Sequence, residues 1–582
     1  MPFVLKRAKN ASQKEALQQM GSKFTQPGVV RWSAARPAFF LDWMFFHEEP
    51  QIAMKPDFSN GRFPSLPPPE IANPTGAKRL AGTLCLAAVL GLPGCGAKPP
   101  PPAPLNGKEL AAIACAQCHA VPSPAQLSRE EWPYLLAWMG NYLGRPAEIA
   151  INPALVVKGF VPPQPVVTSE QFQAIKDYYL EQSSLQYRLP PPSHSPPATK
   201  LFDELPLAID ASVVSMVAID PSDQALVVGL SRPSGMLVLQ RGITTPIEVP
   251  SEPVTFERLG EVCRVALIGH LGYDARAGQI VDFRMKEGTQ RIIVDAHPRI
   301  AAHRTADIDG DGADDLLVCG FGDYPVGRVG IWWGGTNGPR EQVLLEEAGT
   351  TWGDIADLNG DGRPDIVLAI ANNRPRIVAF VNEGGRRFSE RTIVERPVGW
   401  GYNRCLLADW NGDGRLDIIE TAGNNLELRG RPIKNNHGVR VLQNEGDWRF
   451  REVLFEPLPG AIDVAAGDFD GNGRLDLAVV AFYPDWRLPM PKTFLLLMQQ
   501  ADGTVVRAGI EDQYWNRWMR IAVGDVDGDG DLDILLGGAQ VPMGIPDEHA
   551  ARYQQLLQGK ASLLLLRNRT KTPNSIRSLR GQ

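Results

Sequence analysis

One phrase recurs five times in the second half of this chain, and its spacing constrains the fold more than any other feature. The copies run from Asp307 to Asp315, Asp357 to Asp365, Asp409 to Asp417, Asp468 to Asp476 and Asp525 to Asp533. Successive copies are 50, 52, 59 and 57 residues apart. Self-similarity at such a period is the mark of a propeller or solenoid array, in which each repeat buries its apolar face only against its neighbours. Every copy carries oxygen-bearing side chains at positions 1, 3, 5 and 9 and glycine at positions 4 and 6.

That pattern has a chemistry. A hard cation such as Ca²⁺ takes six to eight oxygen ligands around one point, and glycines let the backbone curl tightly enough to gather them. The expected side-chain ligands are Asp307, Asp309, Asp311 and Asp315 in the first loop, and Asp357, Asn359, Asp361 and Asp365 in the second. The third loop offers Asp409, Asn411, Asp413 and Asp417, the fourth Asp468, Asp470, Asn472 and Asp476, and the fifth Asp525, Asp527, Asp529 and Asp533. The position-7 carbonyls of Ala313, Arg363, Arg415, Arg474 and Asp531 would complete each cage. A helix–loop–helix calcium site begins the same way but needs a bidentate Glu at position 12. Position 12 here is Val318, Leu368, Glu420, Val479 and Leu536, and each loop runs into a β-type stretch such as Ile366 to Ala369. The spacing therefore predicts about five Ca²⁺ ions in strand–turn–strand loops.

A further strand is expected in each unit, at Val329 to Trp333, Arg376 to Val381, Val439 to Gln443, Thr493 to Met498 and Ser562 to Leu566, three of them ending near an Asn or Asp and a Gly. Two units upstream keep strands without the ligands: Met216 to Asp220, Ala225 to Gly229 and Met236 to Gln240 in one, Val262 to Gly269 and Gln279 to Phe283 in the other. Two plus five units make seven, which closes into a propeller of four-stranded blades. The repeats resemble FG-GAP or VCBS-type repeats, the modules also found in integrin α chains, across residues 201–570. The expected fold is an all-β seven-bladed propeller preceded by a small all-α domain.

That small domain is signalled by Cys115-Ala116-Gln117-Cys118-His119, the C-x-x-C-H attachment signature of c-type haem. Two thiols three residues apart on one helical turn can both form thioethers to haem vinyls, and the adjacent His119 is then placed to ligate the iron. Axial Met or His completes such sites. Met139 lies in Trp132 to Gly144, whereas His194 sits among prolines in a stiff linker, so Met139 is the expected distal ligand. With a helix at Glu109 to Ala114 and another from Ser169 to Ser183, residues 107–184 resemble a small class I cytochrome c domain carrying one haem c.

Upstream, Lys78 and Arg79 precede an apolar run from Leu80 to Leu92, the form of an export signal and too short to span a bilayer. The run contains Cys85 and ends in Leu92-Pro93-Gly94-Cys95, which resembles a bacterial lipobox in which Cys95 is acylated. The expected organisation is 1–77 unassigned and upstream of the signal, the true start being expected later than Met1, then 78–95 a lipoprotein signal peptide, 96–106 a Pro-rich tether, 107–184 the cytochrome domain, 185–200 a Pro-rich linker, 201–570 the propeller and 571–582 a tail. With 59 Lys and Arg against 66 Asp and Glu, the chain has no overall basic field to draw it onto nucleic acid.

The combination resembles bacterial VCBS repeat-containing lipoproteins with an N-terminal cytochrome c domain. It predicts an exported protein, lipid-anchored in a cell-envelope membrane and facing periplasm or cell surface. There it would pass single electrons to or from a redox partner. The propeller would serve as a docking module, with a polysaccharide or protein as its ligand. A propeller oxidoreductase feeding the fused cytochrome, and an adhesion or polymer-binding protein, are the alternatives. No catalytic motif stands out, and His270, His297, His303, His437 and His549 are scattered. Cys263, Cys319 and Cys405 are expected to be buried free thiols.

Overall fold

In this computed structural model the described residues are 104–117, 121–146, 161–183 and 199–570, apart from 232, 271–275, 324–325, 336–339, 373, 398, 425–433, 487, 489–490, 511–516, 542–544, 546 and 558–561. The expectations for residues 1–77, the signal segment, acylated Cys95, most of the tether and of the second linker, and the tail lie outside them, as do Cys118 and His119. No helix among the described residues is long and apolar enough to cross a membrane.

Residues 202–568 form seven four-stranded antiparallel sheets. Blade 1 spans 214–247, blade 2 253–297, blade 3 300–345, blade 4 350–395, blade 5 402–457 and blade 6 461–508. Blade 7 takes three strands from 518–568 and its fourth, outermost strand from Phe202–Leu207, which pairs antiparallel with Leu563–Asn568. The first folded strand of the propeller thus closes the ring against the last.

The blades follow one plan. First strands contact first strands of the neighbouring blades around the ring. Second strands such as Asp365–Ile370 and Asp476–Ala481 are buried along their whole length, because apolar faces of adjacent blades cover both sides. Fourth strands such as Arg340–Leu345 are largely exposed and polar. Every first strand also carries a register irregularity near its start, between Val214 and Met216, Pro253 and Thr255, Ile300 and Ala302, Thr350 and Trp352, Tyr402 and Arg404, Ala461 and Asp463, and Trp518 and Arg520. Its presence in blades 1 and 2 marks them as members of the same repeat. Blade 2 has replaced the acidic loop by a two-residue turn at Gly260 and Glu261 between paired Leu259 and Val262.

Ahead of the propeller, the described residues form three α-helices: α1, Gly107–Ala114; α2, Trp132–Tyr142; and α3, Ser169–Gln182. Asn106 with Glu109, and Thr168 with Gln171, close capping boxes at the starts of α1 and α3. Leu110, Ala111, Trp132, Leu136, Phe172, Ile175 and Tyr179 build a common core. The helices α1 and α3 cross where Gly107 lacks a side chain: a Cβ there would lie 2.1 Å from the Ala174 carbonyl oxygen. A helix not foreseen from the sequence, α4 at Asp547–Leu557, fills the connection between the second and third strands of blade 7.

Candidate cation loops and helical site

All five acidic phrases lie between the first and second strands of blades 3 to 7. Their glycines at positions 4 and 6 have positive φ, for example 79° and 83° at Gly310 and Gly312, a conformation glycine adopts without penalty. The position-1 carboxylate organises each turn: Asp307 accepts from the amides of Gly310, Asp311 and Gly312, and Asp357 from those of Gly360, Asp361 and Gly362. In three loops carboxylate oxygens gather within 4.8 Å of one another, from Asp307, Asp309 and Asp311, from Asp468, Asp470 and Asp476, and from Asp525, Asp527 and Asp533. Those donor sets suit a hard divalent cation.

The other two loops differ at position 5. Arg363 and Arg415, at position 7, hold the position-5 carboxylates of Asp361 and Asp413 at 2.5 Å. Main-chain bonding to Arg363 keeps the Asp361 carboxyl below its usual range, and for Asp413 the Asn411 amide contributes most. A neighbouring blade supplies a guanidinium to the first loop, where Arg386 lies 2.6 Å from Asp309 and stacks over Trp333.

Position 9 has a role the sequence did not disclose. Asp315, Asp365, Asp417, Asp476 and Asp533 are fully buried. In each, one carboxylate oxygen accepts the amide of loop position 2 and the other accepts an amide at the end of the third strand. For Asp417 these come from Trp410 at 2.9 Å and Asn444 at 2.7 Å; for Asp533, from Val526 and Asn568, both at 2.7 Å. Burial raises all five carboxyls, Asp476 and Asp533 to about 6.

The residue that ends the third strand was also missed as a functional position. Asn382, Asn444, Gln499 and Asn568 each send two side-chain hydrogen bonds to backbone carbonyls, one on their own loop and one on the preceding blade's loop. Asn382 reaches Pro364 and Ile308; Asn444 reaches Leu416 and Leu358. Gln499 reaches Leu475 and Trp410; Asn568 reaches Leu532 and Phe469. The signal in the sequence was the Asn before Glu-Gly at 382–384 and 444–446.

Glu420, the one acid at position 12, points to no loop. It faces Cys405 and Arg440 across the strands of blade 5 and pairs with Arg396 at 3.1 Å, its carboxyl raised by burial. The propeller thiols Cys263, Cys319 and Cys405 are free and buried. The histidines do not converge on one site: His303 is buried against Thr255 of the previous blade at 2.6 Å, His297 packs on Trp332, and His549 stacks on Trp486.

In the helical part, Cys115 caps α1 and is half-buried at the edge of the apolar core. The chain then turns through Cys115–Gln117. Beyond the motif it is pinned to α2 and α3: Trp132 donates to the Pro124 carbonyl at 2.9 Å, Tyr179 to Pro122 at 3.0 Å and Ser183 to Leu127 at 2.8 Å. Met139 is half-buried on α2.

The FG-GAP-like repeat matches residues 307–368 and 357–419. The chain therefore carries FG-GAP-like repeats within a seven-bladed propeller, an architecture suited to binding or docking. Cartilage acidic protein 1 of Xenopus tropicalis is 31% identical over 129 residues, 21% of this chain and 19% of that protein. A T-cell immunomodulatory protein homolog of Plasmodium falciparum is 28% identical over 141 residues, 22% of this chain and 18% of that protein. The matches thus span about a fifth of these curated relatives. Among solved structures, BBS1N in complex with ARL6DN gives a TM-score of 0.41 at 12% identity, covering 65% of this chain and 99% of that one. A calcium-binding protein, regucalcin, from Agrobacterium tumefaciens gives 0.33 at 9%, covering 64% and 96%.

Proposed function

We propose that this chain is an exported, lipid-anchored haem c protein that transfers single electrons, with a Ca²⁺-stabilised propeller as the module that selects its partner. The observation that carries the reading is the C-x-x-C-H motif, whose first cysteine caps α1 beside a helical core and whose downstream segment is tied to α2 and α3. Cys115 and Cys118 would hold the group covalently, with His119 and Met139 as the iron ligands; the half-buried setting of Cys115 and Met139 fits a large apolar ligand. When bound, the haem supplies one-electron chemistry at a potential that its axial ligands and burial set. The chain's own part is to hold the segment that follows the motif, through Trp132, Tyr179 and Ser183. Cys95 would be the acylated residue that holds the protein at a membrane, and the propeller's ligand would be a protein or polysaccharide.

Calcium is proposed in all five loops, through the ligands at positions 1, 3, 5 and 9 and the position-7 carbonyl. The loops contain 17 ligand carboxylates, and like charges so close repel unless a cation lies among them. In the second and third loops Arg363 and Arg415 would release Asp361 and Asp413 to the metal.

Expression with a c-type maturation system tests the haem: the pigment should resist acid-acetone extraction, and Cys118→Ser should lose much of it. A fully extractable pigment, or none, overturns the assignment.

A further inference from the structure

We infer that the five loops form one linear, energetically coupled array, so that calcium bound at one loop raises the affinity of its neighbours. This rests on the reading of the loops as calcium sites and goes beyond it, because independent sites need no connection.

The connection is a run of hydrogen bonds, passed on within single residues, through buried and half-buried groups. Asp315 accepts the Ile308 amide at 2.9 Å, and the carbonyl of the same residue accepts from the Asn382 side chain at 2.9 Å. The Asn382 amide then donates to Asp365 at 2.9 Å, which also accepts from Leu358 at 3.2 Å. The Leu358 carbonyl is held by Asn444, whose amide donates to Asp417. Asp417 accepts from Trp410, the Trp410 carbonyl is held by Gln499, and the Gln499 amide donates to Asp476 at 2.9 Å. Asp476 accepts from Phe469 at 3.0 Å, the Phe469 carbonyl is held by Asn568, and the Asn568 amide donates to Asp533. Each ligand at position 9 is thus joined to the next through the backbone of one residue, whose N–H and C=O lie on adjacent peptide units, and through the side chain and main-chain N–H of one Asn or Gln.

The placement of the amide residues argues that the linkage serves the loops. Of the five blades that carry an acidic loop, it occurs in all four whose preceding blade also carries one. At the fifth, where the preceding blade 2 has only a tight turn and offers no such carbonyl, the position is Gly334, which keeps the backbone bond to Asp315 at 2.8 Å but has no side chain to clasp with. Three of the four clasps, Asn382, Asn444 and Asn568, are at most 3% exposed. Losing either carbonyl partner would leave a buried amide unsatisfied, so each clasp favours the arrangement in which both loops are closed. A cation that closes one loop fixes its position-2 peptide, holds the clasp, and thereby sets the backbone donor to the neighbouring ligand. Two loops that share a clasp are a two-state element that both sites bias, which is what coupling requires.

Calorimetric titration of the metal-free full-length protein with calcium chloride tests this. The wild type should bind with a Hill coefficient of roughly 2 or more, below the ceiling set by the number of sites. Asn444→Ala divides the array into two loops and three; it should lower the Hill coefficient and weaken binding at the flanking loops by about 5- to 150-fold, the usual range of site-to-site coupling. Asn568→Ala should detach the last loop alone and leave cooperative binding at the other four. A wild-type isotherm of independent sites overturns the coupling, whatever the variants do, as does an Asn444→Ala isotherm that superimposes on it. In both cases calcium binding itself survives. A protein that takes up no calcium overturns the coupling together with the reading beneath it.

Discussion

At the scale of single residues, the chemistry of the loops was legible and the division of labour within them was not. The regular oxygens at positions 1, 3, 5 and 9 name a hard-cation cradle from spacing alone. What spacing could not show is that Asp417 and its four equivalents are buried acceptors for two backbone amides each, since those donors come from the start of the loop and from a strand 27 residues away. Asp417→Ala should therefore destabilise the propeller even in excess chelator, by about 2–4 kcal/mol for two buried amides left unpaired. An unchanged metal-free melting midpoint would show that the carboxylate acts only through the cation. His303 makes a second residue-scale prediction. Burial, with Arg304 and Arg264 nearby, pulls its imidazole down to about 3, although Glu257 lies 3.6 Å from Nε2. The unfolded chain, with an ordinary histidine near 6.5, binds the proton that the native state refuses, so stability falls as pH drops from about 6.5 toward 3. Asp476 and Asp533 titrate in part of this window with opposite sign, so the informative quantity is a difference. Between pH 6 and 5, His303→Gln should lose less stability than the wild type by about 1.4 kcal/mol per pH unit. Parallel profiles would contradict it.

At the scale of elements, the continuous apolar runs after each loop read correctly as strands, because burial on both faces leaves an unbroken Val, Ile and Leu signal in segments such as Asp365–Ile370. The outer strands were less legible: Phe388–Glu395 faces solvent and carries mostly polar residues, so only its place in the repeat marks it. The helix α4 was missed because it sits inside a blade connection where the repeat predicts only a loop. In the helical part, Glu109 to Ala114 and Ser169 to Ser183 were close to the α1 and α3 bounds. The tight crossing at Gly107 was not foreseen, since it depends on a helix more than 60 residues away. Gly107→Ala should force α1 and α3 apart and cost about 1–3 kcal/mol, the range for overpacking a tight contact. A melt of the helical part indistinguishable from wild type would mean that the crossing adjusts freely.

At the scale of the whole molecule, seven units could be counted from the sequence, but not how the ring is sealed. The strand Phe202–Leu207 pairs with Leu563–Asn568 over six residues, and Asp203 pairs with Arg567 at 3.0 Å. A chain shortened to begin at Ile209 would leave the apolar strand Leu563–Asn568 as an open edge, so it should self-associate and melt at a lower temperature. A monomeric truncation with an unchanged melt would show that the seal is dispensable. Beside the ring and its loops, the proposed function centres on a haem bound in the chain ahead of the propeller. Mass spectrometry of proteolytic peptides from protein made with a c-type maturation system addresses that most directly. The expected result is a peptide containing Cys115 to His119 that carries one haem through both thiols, and its absence in Cys115→Ser/Cys118→Ser. Recovery of that peptide unmodified, with two free thiols and no coloured fraction, would contradict it.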